Sequence, residues 1–263
     1  MADEWFFAGK RALVTGSASG MGRAVTTQLL RAGCHVVGLD VADQDDGPSY
    51  LFTPVQVDLA DGGAVDDLLA KWDGPLDFVV NAAGVSPLKE TRERVLAVDW
   101  HAPRRICDWA VERLEEPGAI VNVASVAGIY DAFDDATNAL IGGDDSGIPN
   151  AGIAYAIAKR AVIQHTMQLA ATHAHWRVRV NAVSPHAAAT PMHYAIKHGE
   201  PEMYARAKMT ATWGRWSSAD EQADVIVFLL GPRSTYVSGV NLVVDGGWWA
   251  AAQTTDPSLR QFH

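Results

Sequence analysis

The sequence predicts an α/β fold, a parallel sheet of seven strands with helices on both faces. Short runs rich in β-branched residues alternate with longer segments whose apolar residues recur every three or four positions. Strand and helix in regular succession are typical of parallel sheets, whose ligands bind beyond the carboxyl ends of the strands. We therefore expect functional residues directly after each strand.

Each element has its own signal. Seven apolar runs that end in Gly, Pro, Asp or Ser predict strands at 11–16, 34–40, 51–58, 76–84, 119–125, 177–185 and 239–247. Helical periodicity predicts helices at Met21–Ala32, Ala60–Trp72, Arg92–Leu114 and Ile153–His173. With 263 residues and 48% hydrophobic content, the chain is long enough for one substantial core, and we expect a single domain over residues 1–263.

Composition excludes several classes of partner. A net charge of −10 without any run of Lys or Arg argues against nucleic-acid binding and against anionic membranes. We find no secretory signal and no membrane span, so a soluble cytoplasmic protein is expected. Cys34 and Cys107 lack CxxC spacing and are interpreted as core residues, and the nine His residues show no ligand spacing, so no metal is expected.

A glycine-rich turn follows the first strand. Its sequence is TGSASGMGRA, with Gly16, Gly20 and Gly22, and such glycines let backbone N–H groups approach a phosphate at the start of a helix. The same pattern also occurs in purely structural strand-to-helix turns. Asp40 ends the second strand, 18 positions after Gly22, where a carboxylate can accept hydrogen bonds from both hydroxyls of a ribose. The alternative interpretation is that Asp40 is a turn residue that ends the strand and binds no ligand.

The charge of Asp40 bears on the choice of dinucleotide. A carboxylate at this place repels a 2′-phosphate, and neither Ser17 nor Ala18 is a Lys or Arg that would attract one. The sequence therefore favours NAD over NADP.

Tyr155 and Lys159 are four residues apart in the segment GIAYAIAKRA. On a helix this spacing puts a phenol and an ammonium on one face, within reach of the same small volume. Taken alone, the pair favours the polar edge of a packed surface helix over a catalytic role.

Seven motifs in register together resemble the short-chain dehydrogenase/reductase family. They are TGSASGMG at 15–22, Asp58-Leu59, NAAG at 81–84, Ser125 in NVAS, YAIAK at 155–159, VSPHAAAT at 183–190 and VDGG at 244–247. The resemblance covers nearly the whole chain. It implies a single-domain Rossmann fold, an NAD-dependent alcohol dehydrogenase or ketone reductase, and a homotetramer or homodimer.

The resemblance also assigns residues. Ser125, Tyr155 and Lys159 match the family's catalytic residues. Matches to its cofactor site are Gly16, Ser19, Gly20, Met21 and Gly22 at the pyrophosphate, Asp58 and Leu59 at the adenine, Asn81, Ala82, Ala83 and Gly84 behind the cofactor, and Pro185, Ala188 and Thr190 near the nicotinamide, with Asp40, Tyr155 and Lys159 completing the set. A phenol has a pKa of about 10, and a nearby ammonium lowers it toward that of a useful base. Tyr155 would move the proton of the substrate hydroxyl while Ser125 donates to its oxygen.

Three positions depart from the family pattern. Asp99 stands where an Asn usually kinks the helix and is included among the catalytic candidates; we expect retained activity with an alkaline optimum, because its charge opposes a phenolate. Ser125 and Tyr155 are 30 residues apart, as in members with an insertion such as bacterial 3α-hydroxysteroid dehydrogenases and carbonyl reductases, and Ser146 is a rival to Ser125. His186 replaces a Gly, and it either contacts nicotinamide or substrate or packs on a neighbouring strand.

The insertion at 129–150 contains five aspartates and no basic residue, and we interpret it as a solvated loop in preference to a dedicated binding element. Segment 187–216 is the candidate lid over the substrate. Its apolar and aromatic residues are either helix packing or the wall of a pocket: Met192, His193, Tyr194, Ile196, Met203, Tyr204, Met209, Trp213 and Trp216.

The expected substrate is a secondary alcohol or ketone on a hydrophobic, cyclic or aromatic frame. Ser125, His186, Met192 and Trp213 are the substrate-binding candidates. Trp248 and Trp249 either cap this pocket or lie in a subunit interface. Two other functions stay open: a catalytically silent dinucleotide-binding regulator or scaffold, and a non-redox reaction on the same fold.

Overall fold

The computed structural model describes residues 4–44, 50–174, 177–192 and 212–254. All seven predicted strands are present: β1 (Arg11–Thr15), β2 (His35–Asp40), β3 (Phe52–Gln56), β4 (Leu76–Asn81), β5 (Leu114–Val123), β6 (Arg179–Pro185) and β7 (Asn241–Val244). They pair in parallel in the order β3-β2-β1-β4-β5-β6-β7. The predicted Rossmann fold is confirmed.

Helices cover both faces of the sheet. They are α1 (Glu4–Phe7), α2 (Gly20–Arg31), α3 (Gly62–Ala70), α4 (Arg92–Leu96), α5 (Ala102–Ala110), α6 (Asp134–Ile141), α7 (Ala151–Thr172), α8 (Ala219–Leu230) and α9 (Trp248–Gln253). The helix predicted over Arg92–Leu114 is shorter and interrupted, since a π-helical turn at Ala97–His101 separates α4 from α5 and Leu114 already begins β5.

The core consists of three hydrophobic clusters. Successive residues of β1 point to opposite faces, so Leu13 packs in the cluster beneath α3, α5 and α7 while Val14 packs in the cluster beneath α2 and α8. The third cluster joins α4, the π-helical turn, α6 and α7. Strands that are buried on both faces explain the nearly continuous apolar runs in the sequence.

The order of the strands positions the functional cleft. From β1 the chain builds outward through β2 and β3, then returns to the other side of β1 with β4 and continues to β7. The crevice at such a reversal, outside the carboxyl ends of the strands, is where ligands bind in open α/β sheets. Thr15 pairs with Asn81 there, so the turns that follow β1 and β4 lie side by side.

The insertion at 129–150 differs from the solvated loop that the sequence suggested. A 3₁₀ turn at Asp131–Phe133 leads into α6, whose Thr137 and Leu140 are completely buried. Helix α6 packs on α7, and Asp134 forms an ion pair with Arg160 of α7. Apolar residues at helical spacing inside an acidic segment are the cause, and Asp131, Asp135 and Asp144 are exposed to solvent.

Both cysteines are buried free thiols. Burial raises the pKa of Cys34 to about 12 and that of Cys107 to about 12, so neither is a reactive thiolate near neutral pH. Among the described residues, no helix combines the length and the apolar composition needed to cross a bilayer.

We expect Leu140→Ala to lower the free energy of unfolding by about 2–5 kcal/mol, because it leaves a cavity between α6 and α7. Asn138→Ala, an exposed change on the same helix, should stay within about 0.5 kcal/mol. Urea denaturation of both variants measures the difference. Equal stability of the two variants would mean that α6 does not pack on α7 in solution.

Candidate active site

A cleft of about 650 Å³ lies at the carboxyl ends of the strands. Most of the residues predicted from the sequence line it: Gly16, Ser19, Gly20, Met21, Asp40, Asp58, Leu59, Ala82, Ala83, Gly84, Ser125, Tyr155, Lys159, Pro185, His186, Thr190 and Met192. The turns that follow β1, β2, β4, β5 and β6 and the start of α7 thus meet in one site.

Two of the predicted cofactor residues lie behind the cleft instead of on it. Gly22 faces the carbonyl of Gly16, and a Cβ on Gly22 would lie 2.2 Å from that oxygen, so this glycine allows α2 to approach β1. Asn81 is buried, and its side-chain amide donates to Oδ1 of Asn122 at 2.8 Å. Both residues support the sheet end beneath the cleft.

Ala188 and Trp213 are also outside the lining. Ala188 is completely buried and bridges to Ser217. Trp213 is 69% exposed and packs against Gly246, so its predicted contact with substrate is not part of this arrangement. The other lid candidates at 193–211 lie outside the described residues.

The glycine turn after β1 leaves room for a ligand backbone. Gly16 has φ +72°, and a Cβ there would lie 2.8 Å from Cα of Ala83, so only glycine fits. Helix α2 begins at Gly20, and its N-cap Ser19 makes no side-chain capping hydrogen bond. No acidic residue occupies the first turn of α2, so its N–H groups and positive dipole end suit a phosphate.

Asp40 is fixed at the end of β2. Its Oδ2 accepts from the N–H of Ala18 at 3.0 Å and its Oδ1 from the N–H of Ala42 at 2.9 Å. Carboxylate oxygens have further lone pairs, and in this orientation they suit the two hydroxyls of a ribose. The residues present fit an adenine dinucleotide, with a phosphate at α2 and a ribose at Asp40.

Arg94 is a cleft residue that the sequence reading missed. It holds Asp58 in a bidentate pair, with Nη1 2.9 Å from Oδ2 and Nη2 3.2 Å from Oδ1. The hydrogen bonds from Arg94 are the main reason that the pKa of Asp58 is lowered. Nothing in the spacing connects α4 with the end of β3, because only the fold brings them together.

Tyr155 and Lys159 lie one turn apart on α7, which Asn150 caps by accepting from the N–H of Ile153 at 3.1 Å. The ammonium of Lys159 lies 5.6 Å from the centre of the Tyr155 ring and donates to the carbonyl of Val123 at 3.1 Å. Lys159 is only 4% exposed. The pair is therefore part of the cleft and not a polar helix edge.

Asp99 provides the counter-charge for Lys159. Its Oδ1 lies 3.0 Å from Nζ of Lys159, and its Oδ2 accepts from the N–H of Val85 at 3.2 Å. It is completely buried in the π-helical turn beneath the cleft, and it does not line the cleft itself. Gly84 permits this approach, since a Cβ there would lie 2.8 Å from Oδ1 of Asp99.

The charges of Tyr155, Lys159 and Asp99 have opposing effects on the pKa values of the three side chains. Burial raises the pKa of Tyr155 and Asp99 raises it further, while Lys159 and a hydrogen bond with Ser125 lower it, and the net shift is upward. Burial disfavours the ammonium of Lys159, but the attraction of Asp99 and Tyr155 outweighs this and raises its pKa. Burial also raises the pKa of Asp99 despite Lys159 beside it.

Of the two rival catalytic serines, Ser125 lines the cleft and Ser146 does not. Its hydroxyl oxygen accepts from the N–H of Ala127 at 3.2 Å at the start of a 3₁₀ turn. Ser146 lies in the insertion and donates to Asp144 at 2.7 Å.

His186 lines the cleft and stacks on Trp248, with 5.0 Å between ring centres. Burial lowers its pKa, although Asp245 opposes the shift, so the imidazole is neutral near pH 7. Within the ranges that the structure describes, no three His, Cys, Asp or Glu side chains are grouped as metal ligands would be.

Known proteins resemble this chain over most of its length. A family model described as enoyl-(acyl carrier protein) reductase matches residues 16–249. The chain is 29% identical to 3-alpha-hydroxysteroid dehydrogenase/carbonyl reductase from Comamonas testosteroni (92% of this chain, 98% of that protein) and 31% identical to L-xylulose reductase from Bos taurus (92% and 98%). The crystal structure of 3-alpha-hydroxysteroid dehydrogenase from Pseudomonas sp. B-0831, complexed with NADH, matches with a TM-score of 0.80 and 30% identity over 93% of this chain and 100% of that one.

Proposed function

The chain belongs to the short-chain dehydrogenase/reductase family, and on that premise we propose that it is an NAD-dependent oxidoreductase interconverting a secondary alcohol and a ketone on a hydrophobic, cyclic or aromatic frame. The relatives named above are oxidoreductases of alcohols and carbonyl compounds. The observation that carries the proposal is the phenol of Tyr155 beside the buried ammonium of Lys159, in the same cleft as Ser125 and the glycine turn.

The protein side of the reaction follows from three side chains. Tyr155 takes the proton from the substrate hydroxyl during oxidation and returns one during reduction. Lys159 favours the phenolate electrostatically, and Ser125 donates a hydrogen bond to the substrate oxygen, where charge develops. A bound nicotinamide ring supplies or accepts the hydride.

Asp99 sets the working range of Tyr155. Its carboxylate keeps Lys159 charged, which helps a phenolate, but its own negative charge raises the pKa of the phenol. The upward shift of Tyr155 favours alcohol oxidation at alkaline pH. The expectation of an alkaline optimum rests first on burial of the phenol and then on the charge of Asp99.

Preference for NAD rests on Asp40. Its carboxylate, held by the N–H groups of Ala18 and Ala42, suits ribose hydroxyls and repels a 2′-phosphate. Val41 beside it is 54% exposed on the cleft wall and carries no charge. The Pseudomonas relative described above was crystallised with NADH.

An apolar substrate frame is supported by the cleft near Tyr155, where Val85, Leu88, Val126 and Met192 contribute to the lining. The proposal includes assembly as a homotetramer or homodimer and a cytoplasmic location. A silent dinucleotide-binding protein and a non-redox enzyme are the alternatives, and the three side chains at the cleft argue against the first.

The test of the proposed function is oxidation of a panel of secondary alcohols, followed by NADH absorbance. Tyr155→Phe should lower kcat by about 10²–10⁴-fold, because the proton acceptor is lost, and leave NADH binding intact by calorimetry. Tyr236→Phe, at a fully exposed position, is the matched control and should retain full activity. NADH binding by the wild type without turnover of any alcohol or ketone would favour a silent binding protein. Consumption of a substrate without any change in NADH absorbance would favour a non-redox enzyme.

Cofactor choice is tested by Asp40→Ser combined with Val41→Arg, which removes the negative charge and adds a donor for a 2′-phosphate. We expect the ratio of kcat/KM for NAD to that for NADP to fall by about 100-fold. Val41→Ala alone should leave the ratio unchanged. Equal use of the two cofactors by the wild type would contradict the role given to Asp40.

The pH profile tests Asp99. Asp99→Asn removes the charge that opposes the phenolate, while the carbonyl of Val123 still accepts a hydrogen bond from the ammonium of Lys159, so the pKa of Tyr155 falls and the rising limb of kcat/KM for oxidation moves to lower pH. A general base works when deprotonated, which fixes this direction. Asp135→Asn makes the same change of charge on the exposed face of α6 and should leave the profile in place. An unshifted limb in Asp99→Asn would show that the carboxylate does not tune Tyr155.

A further inference from the structure

Four flat side chains lie together beside the catalytic end of the cleft. We call Tyr130, His186, Trp248 and Trp249 the aromatic wall. His186 and Trp248 are stacked, 5.0 Å apart and inclined by 27°. Tyr130 stands edge-on to Trp249 at 5.3 Å and to Trp248 at 6.5 Å, and the two indoles lie 6.4 Å apart at 34°. Three separate parts of the chain build this group, after β5, β6 and β7.

The aromatic wall adjoins the cleft at His186, which lines it, while Tyr130, Trp248 and Trp249 lie just outside the lining. His186 lines it together with Ser125, Val126 and Tyr155, and Tyr130 follows Ser125 by five residues. Because His186 is stacked on Trp248, the rings extend from the reacting centre toward α9. A substrate whose hydroxyl lies between Ser125 and Tyr155 can extend past His186 toward the other three rings.

The turn before α9 fixes the backbone from which the two indoles project. Asp245 accepts from the N–H of Gly247 at 2.8 Å and from the N–H of Trp249 at 2.6 Å. Gly246 and Gly247 have φ +66° and +86°, a conformation that L side chains rarely adopt. The backbone that carries the tryptophans is therefore ordered before any ligand arrives, and their contacts with Tyr130 and His186 restrict the rings, which lowers the entropic cost of binding.

Core packing does not account for these rings. Tyr130 is 39% exposed, and both tryptophans are only half-buried. Over the described residues, the three hydrophobic clusters of the core include none of the wall's aromatic rings. Rings that are fixed and partly open to solvent beside a reacting centre are suited to a ligand that brings its own flat apolar surface.

Resting on the proposed function, we propose that the aromatic wall is the subsite for the non-reacting part of the substrate, and that it selects a flat, uncharged ring system over an acyclic chain. Stacked and edge-on contacts favour planar rings beyond simple burial of area. The five aspartates of 129–150 disfavour an anionic substituent.

Two alcohols with the same reacting group test the selectivity, 1-phenylethanol and butan-2-ol. Trp248→Leu keeps an apolar side chain but removes the flat ring, so the ratio of kcat/KM for the aryl alcohol to that for the alkyl alcohol should fall by about tenfold or more, chiefly through KM. Trp248→Phe should restore most of the ratio. Tyr236→Leu, which removes an exposed ring elsewhere, should leave the ratio unchanged.

Calorimetry separates this proposal from the proposed function. 2-Naphthol, a flat alcohol with no hydrogen on its hydroxyl carbon, should bind the complex with NADH at least about tenfold more weakly in Trp248→Leu than in the wild type. This holds even if the wild type oxidises neither alcohol, in which case the proposed function fails and the subsite stands. Equal losses for both alcohols, or unchanged 2-naphthol binding, would overturn the subsite. So would a variant whose oligomeric state changes while its selectivity does not, because the rings would then belong to a subunit interface.

Discussion

The arrangement of the active site depends on one buried contact, between the ammonium of Lys159 and the carboxylate of Asp99. An ammonium leaves water only if a partner of opposite charge and further hydrogen bonds replace its hydration. Asp99 and the carbonyl of Val123 supply these, and the absence of a side chain at Gly84 provides the space. The position of Lys159 then sets the electrostatic environment of Tyr155.

A second constraint comes from the sheet. The ends of β1 and β4 are adjacent because the chain reverses its direction of growth there, and the turn at Gly16 packs directly on Ala83. A side chain at Gly16 would separate the two turns. The cofactor half and the catalytic half of the cleft are therefore joined by backbone contacts, which few substitutions can preserve.

The sequence was sufficient to predict the seven strands, the cleft and most of its lining, because buried strands and glycine turns have strong local signals. It was insufficient where the fold joins distant segments. Arg94 reaches Asp58 across 36 residues of sequence, and α6 is hidden in an acidic stretch whose charge outweighed its helical spacing. Gly22 and Asn81 had the right pattern for ligand contacts but support the turns from behind. Pattern alone does not distinguish a residue that touches a ligand from one that shapes the wall.

The π-helical turn at Ala97–His101 links Asp99 to the packing of the whole domain. Such a turn has one residue more than an α-helical turn, so everything after it is rotated by about 100° relative to an uninterrupted helix. Ile106, Cys107 and Ala110 of α5 face the sheet in that rotated frame. Deleting a single residue here would move the carboxylate of Asp99 away from Lys159. The same deletion would rotate α5 and turn its apolar residues toward solvent. The π-helical turn and the orientation of α5 therefore depend on the same residue.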